Sequence, residues 1–98
     1  MVLTGTNAKC MPFFVDTSKI DFMACYVSQG YWYCRLALNG NVIDIDTHWS
    51  IKINGITFTN DGDIKTCSKI AELIGEIVYL ERQDPPVDMD KFSKIGKE

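Results

Sequence analysis

The chain has 98 residues, 46% hydrophobic and 23% charged, which suits one domain with one modest core and leaves no room for a second. Its net charge of −3 is uneven: residues 1–60 hold four acids and four bases, residues 61–98 nine acids and six bases. Without a basic stripe to neutralise phosphates, direct nucleic-acid binding is disfavoured, and the acidity is too slight for a mimic of nucleic acid.

Residues 1–9 carry no strong pattern and are expected to be a flexible N-terminus, followed by an antiparallel sheet over residues 10–60. Met11 to Val15 can supply a strand, with Pro12 confining it to an edge or a strand start. A two-residue turn at Gln29 and Gly30 makes Phe22 to Ala37 a hairpin, and Asn-Gly pairs at 39–40 and 54–55 mark two more of type I′. In the second hairpin Leu36 opposes Ile43 and Arg35 opposes Asp44; in the third Ile53 opposes Ile56 and Ile51 opposes Phe58. Ile43, Ile45, Trp49, Ile51 and Ile53 keep one parity, so residues 43–53 read as one long bent strand or as a strand with a bulge near Thr47.

After a turn at residues 60–63, Asp63 is a natural N-cap for a helix over 63–81. Ile64, Cys67, Ile70, Ala71, Ile74, Ile77 and Val78 form its apolar face, and Cys67, Ala71 and Gly75 a ridge of small residues suited to close packing on the sheet. Pro85 and Pro86 end the helical region, and the tail of residues 84–98 has one short helical turn from Asp88, with Met89, Phe92 and Ile95 on one side. The expected fold class is therefore α+β: an antiparallel β-meander of four to five strands, in three hairpins, packed on one long helix as a single domain.

The first hairpin sorts its residues into two faces. Cys25 opposes Cys34 at a non-hydrogen-bonded site, with Met23, Val27, Trp32 and Leu36 on the same side. A disulfide is sterically allowed there. However, Cys10, Cys25, Cys34 and Cys67 lack CxxC spacing, and residues 1–9 lack the basic and apolar run of a leader, so they read as buried thiols in a reducing compartment. The opposite face carries Phe22, Tyr26, Tyr31, Tyr33 and Arg35, rimmed by Asp44, Asp46 and His48. Tyrosine and arginine are enriched at binding hot spots because they join a large contact area to a polar end. The competing reading covers this face internally, with Phe13 and Phe14 or with Met89, Phe92 and Ile95.

Catalytic and metal chemistry finds little support. Asp44, Asp46 and His48 alternate on one expected strand, but residues two apart on a strand stand ~6.6 Å apart, too far to converge on one ion without a bulge. His48 has Ser50 as its nearest same-face hydroxyl, whereas Cys25 and Cys34 point away from it. Residues 60–63 lack the alternating acids and the later glutamate of a calcium loop, and no glycine-rich phosphate loop occurs. No cofactor and no metal is expected. Stacking of single-stranded RNA would use the same aromatics but is opposed by Asp44 and Asp46.

These residues fit a non-catalytic protein-binding module of the cytoplasm, partnered by another protein or complex and not by a membrane. An inhibitor or adaptor acting by steric block, such as an anti-defence or anti-CRISPR protein of a phage, has this character by association. One alternative is a ligand-binding protein or minor enzyme with a pocket formed by the tyrosines, Arg35 and His48. The other is a homo-oligomer, a homodimer in the simplest case, joined through the aromatic face.

Overall fold

The structure is a computed structural model describing residues 1–83 and 89–97, and it is α+β. In chain order the elements are β1 (Val2–Thr6), β2 (Pro12–Asp16), a 3-10 turn (Thr17–Lys19), β3 (Ile20–Ser28), β4 (Tyr31–Leu38) and β5 (Asn41–Ile45). There follow β6 (Ser50–Ile53), β7 (Ile56–Thr59), α1 (Ile64–Glu81) and α2 (Met89–Ser93). The three expected turns all adopt the left-handed backbone of type I′: φ is 52° and 83° at Gln29 and Gly30, 49° and 88° at Asn39 and Gly40, and 51° and 83° at Asn54 and Gly55. Their registers are those read from the sequence, with Cys25 opposite Cys34, Arg35 opposite Asp44 and Ile51 opposite Phe58.

The strands form two antiparallel sheets, ordered β2-β1-β6-β7 and β3-β4-β5, rather than one meander. The expected continuous strand over residues 43–53 is interrupted at residues 46–49. There the Asp46 carboxylate accepts the Thr47 N–H at 2.7 Å, the Asp46 carbonyl accepts the Trp49 N–H at 3.0 Å, and His48 turns to φ 71°. The turn preserves parity, so Ile45 and Ile51 are both fully buried although they belong to different sheets.

Residues 2–6 are also not a flexible segment: β1 lies inside the first sheet, between β2 and β6. Leu3 is buried, and Gly5 supplies the space in which the Phe13 ring crosses the strand. Phe13 then packs on Trp49, with ring centroids 5.2 Å apart. Pro12 stands at the start of an edge strand, the position its missing N–H allows.

Asn60 ties the two sheets together. It is fully buried, and its side-chain amide donates to the carbonyls of Trp32 at 2.9 Å and Ile45 at 3.0 Å. Its side-chain oxygen accepts the Gly62 N–H at 2.9 Å, while its backbone pairs with Trp49 and His48. The Gly62 carbonyl accepts the Trp32 N–H, completing β4 where β5 no longer runs beside it.

Helix α1 packs against both sheets, burying Cys67, Ile70, Leu73, Ile74, Ile77 and Leu80. Ile64, expected on the apolar face, is 48% exposed. A Cβ at Gly75 would lie 3.3 Å from the end of Met23, so the small-residue ridge does bring the helix close to β3. At the other end, Arg82 donates to the Ile20 carbonyl and Thr17 to the Glu81 carboxylate.

Asp63 caps the helix as expected, accepting the Thr66 N–H at 2.7 Å and the Thr66 hydroxyl at 2.8 Å. These bonds hold its carboxyl below the ordinary value of 3.8, backbone donation from Thr66 being the first cause. Because the folded-state pKa is depressed, the cap contributes in full above 3.8 and is lost as pH falls through the folded value. Asp63→Asn is therefore expected to retain most of the cap at neutral pH and to show a smaller acid-dependent loss of melting temperature than wild type, read from thermal unfolding scans across the acid range.

In the tail, the Asn54 amide holds the Phe92 and Ile95 carbonyls, and Gly96 packs on Phe58. Ile95 is buried and Phe92 partly so, both under β6 and β7. The expectations for Pro85, Pro86 and Asp88 lie outside the described residues.

Candidate functional site

The outer face of the β3-β4-β5 sheet is built from three paired strands whose even or odd parity places alternate residues away from α1. Across the strands it presents four rows: Phe22, Ala37 and Val42; Ala24, Arg35 and Asp44; Tyr26 and Tyr33; Ser28 and Tyr31. Phe22 is 52% exposed, Tyr26 38%, Tyr31 58% and Val42 59%, so among the described residues no segment covers the face. Phe13 packs on Trp49 instead, Phe14 is itself exposed, and Phe92 and Ile95 lie against the other sheet.

Arg35 is at the centre of this face. Its Nε donates to one Asp44 oxygen at 2.9 Å and a terminal nitrogen to the other at 3.1 Å, a two-pronged contact that fixes the plane of the guanidinium. The same group lies 5.4 Å from the Tyr26 ring centroid and 5.5 Å from that of Tyr33, and these two rings stack at 5.8 Å. The hydrogen bonds and charge of Asp44 raise the Arg35 pKa above its ordinary value. An exposed ion pair contributes little to stability. What this one does is hold a cation and two aromatic rings in one geometry.

Of the other expected members, Asp46 and Tyr31 stand at the same end of the sheet as Tyr33, where with Ser28, Gln29, Asp44 and Thr47 they line a shallow concavity of about 360 Å³. Tyr31 also packs over Gly62, whose φ of 88° and close approach leave no space for a side chain. His48 does not join them: the positive-φ turn removes it from the strand that would have aligned it with Asp44 and Asp46. This concavity is lined by Tyr31 and Tyr33 but by neither Arg35 nor His48. Among the described residues, no group of three or more His, Cys, Asp or Glu side chains could hold a metal ion. Val42 belongs to the face and was missed; the Asn39-Gly40 register, which sets it opposite Ala37, was the signal that could have found it.

On the inner face Cys25, Cys34 and Cys67 meet between the sheet and α1, all as free thiols. Burial, with a further contribution from Cys25, pushes the Cys34 thiol up to about 12 and raises Cys67 as well. Since the thiolate is the reactive form, alkylation of the native protein should modify the exposed Cys10 quickly and spare Cys34 and Cys67 until the chain unfolds, as peptide mass spectrometry would report. Val27 shares their parity but is 53% exposed.

No family model, curated protein or solved structure matches the chain. The functional reading therefore stands on the face itself. No helix among the described residues is long and apolar enough to cross a membrane.

Proposed function

We propose that this chain is a non-catalytic protein-binding module whose partner docks on the outer face of the β3-β4-β5 sheet. The observation that carries the reading is Arg35, fixed by Asp44 and by the Tyr26 and Tyr33 rings on a face that also exposes Phe22, Tyr31 and Val42. Three features support it: the large rigid side chains lose little entropy on binding, the cation is already oriented, and the apolar and polar groups are interleaved. Action as an inhibitor or adaptor follows if the partner is part of a larger complex, since burying Tyr26, Tyr33 and Arg35 against it would exclude whatever normally occupies that surface. A host-defence complex is one such target.

The test is affinity capture from lysate of the native host, comparing wild type with the Tyr33→Ala, Arg35→Ala double variant. The face lies away from α1, so the variant should keep its circular dichroism and unfold cooperatively. A stoichiometric partner retained by wild type should fall at least about tenfold with the variant. Equal capture by both proteins would remove the face as the docking surface.

A further inference from the structure

We infer that two copies of this chain join through the free edge of β3, pairing antiparallel about a two-fold axis at Ala24 to make one six-stranded sheet. This goes beyond the binding reading and does not rest on it. Strand β3 pairs with β4 alone and ends its sheet. It is nine residues long, whereas the other edge strands, β2, β5 and β7, have five, five and four. A two-residue turn makes Ser28 and Tyr31 a hydrogen-bonded pair, so the alternation turns the N–H and C=O groups of Met23, Cys25 and Val27 outward. Among the described residues nothing bonds to them.

Proteins usually guard such an edge with lysine, proline, a bulge or a covering segment. Here the register shift near Asp21 bulges the start of the strand. The remaining run, Phe22-Met-Ala-Cys-Tyr-Val-Ser28, has no charge, proline or glycine. An edge left unguarded over seven residues is a template for another strand.

The occupant is indicated by the strand's own complementarity. With the axis at Ala24, each Met23 exchanges backbone bonds with Cys25 of the second copy, using the outward groups of both. On the outer face Ala24 then opposes Ala24, small against small at the axis. On either side Phe22 opposes Tyr26 of the second copy, an aromatic pair made twice by symmetry. Phe22 and Tyr26, 52% and 38% exposed in the single chain, thereby cover one another. The two outer faces merge into one surface with an Arg35 centre in each half.

Sedimentation equilibrium of the full chain tests this, with amide hydrogen exchange on the same sample. The expected mass is twice 11.1 kDa, with slow exchange at the Met23 and Cys25 amides. Ala24→Lys sets two ammonium groups against each other at the axis and should weaken the dimer at least about tenfold. Val42→Lys, on the same face but at the far edge, should leave it intact. A single-chain mass at every soluble concentration overturns the inference, as does a dimer lost with Val42→Lys and kept with Ala24→Lys, which would be face-to-face stacking. If Ala24→Lys fails to fold, the wild-type amides decide: unprotected Met23 and Cys25 in a wild-type dimer overturn edge pairing. Because the readout is mass and not capture, failure here leaves the protein-binding reading standing.

Discussion

Asn60→Ala is expected to destabilise the chain by about 3 kcal/mol or more, a large share of the 5–15 kcal/mol typical of a domain. The substitution strands the Trp32 carbonyl and the Gly62 N–H, which the Asn60 side chain satisfies, and removes the second of two bonds to the Ile45 carbonyl, which the ladder register also sets against the Cys34 N–H. Each buried group left without a partner costs about 1–3 kcal/mol. These bonds also connect the end of β5, the beginning of β4 and the turn into α1, so their loss loosens one sheet from the other. Equilibrium urea unfolding should show a lower midpoint with an unchanged slope, and the melting temperature should fall by about 12–24 °C. Asn60→Asp is an informative companion. It keeps the oxygen that accepts from Gly62 but replaces the donating amide with a second oxygen facing two carbonyls, so it should be no better than alanine at neutral pH. Burial and two facing carbonyls raise the folded-state pKa of that carboxyl, so the penalty should ease as pH falls through the raised value and the group gains a proton to donate. A variant within about 0.5 kcal/mol of wild type would show that Asn60 is not the tie between the sheets.

Gly5→Ala should cost about 3 kcal/mol or more, at a position whose sequence neighbours give no warning. The added Cβ would collide with the Phe13 ring and with the backbone carbonyl of Ser50. The ring can swing aside, at the expense of its contact with Trp49. The carbonyl cannot, because β1 is hydrogen-bonded to β2 on one side and β6 on the other. A double-mutant cycle separates the two clashes. Phe13→Ala should cost less in the Gly5→Ala background than in wild type, with a coupling of about 1 kcal/mol, yet the double variant should remain well below Phe13→Ala alone. Full recovery in the double variant would place the whole conflict at the ring.

Both predictions fall on residues that carry no signal in the sequence, and for related reasons. A glycine in a short N-terminal run with Leu3 as its one large inward residue reads as slack chain; only the approach of Phe13 from β2 and Ser50 from β6 makes it a requirement. A polar residue beside Asp61-Gly62-Asp63 reads as part of a solvated turn; only the ends of β4 and β5, distant in the chain, make Asn60 a buried tie. The sequence allows a bend or a bulge near Thr47 but not the full break at residues 46–49, because its turn returns Ile51 to the parity of Ile45, and alternation cannot detect a phase-preserving interruption. His48 left the candidate site for the same reason.

Other features were legible because their causes are local. Left-handed turns at 29–30, 39–40 and 54–55 set three hairpin registers, and those registers set which residues share a face: Phe22, Tyr26, Tyr31, Tyr33, Arg35 and Asp44 on one side, Cys25, Cys34 and Leu36 on the other. Helical spacing and the Asp63 cap set α1 in the same way. Hydrogen-bond phase and side-chain period act between near neighbours, so the amino-acid order determines them by itself. Whether the aromatic face is exposed, which strands form which sheet, and where Phe92 and Ile95 settle depend on how faces with equal claims to burial are matched across the whole molecule. That matching is made by the competition for apolar surface in three dimensions, and only the tertiary structure decided it.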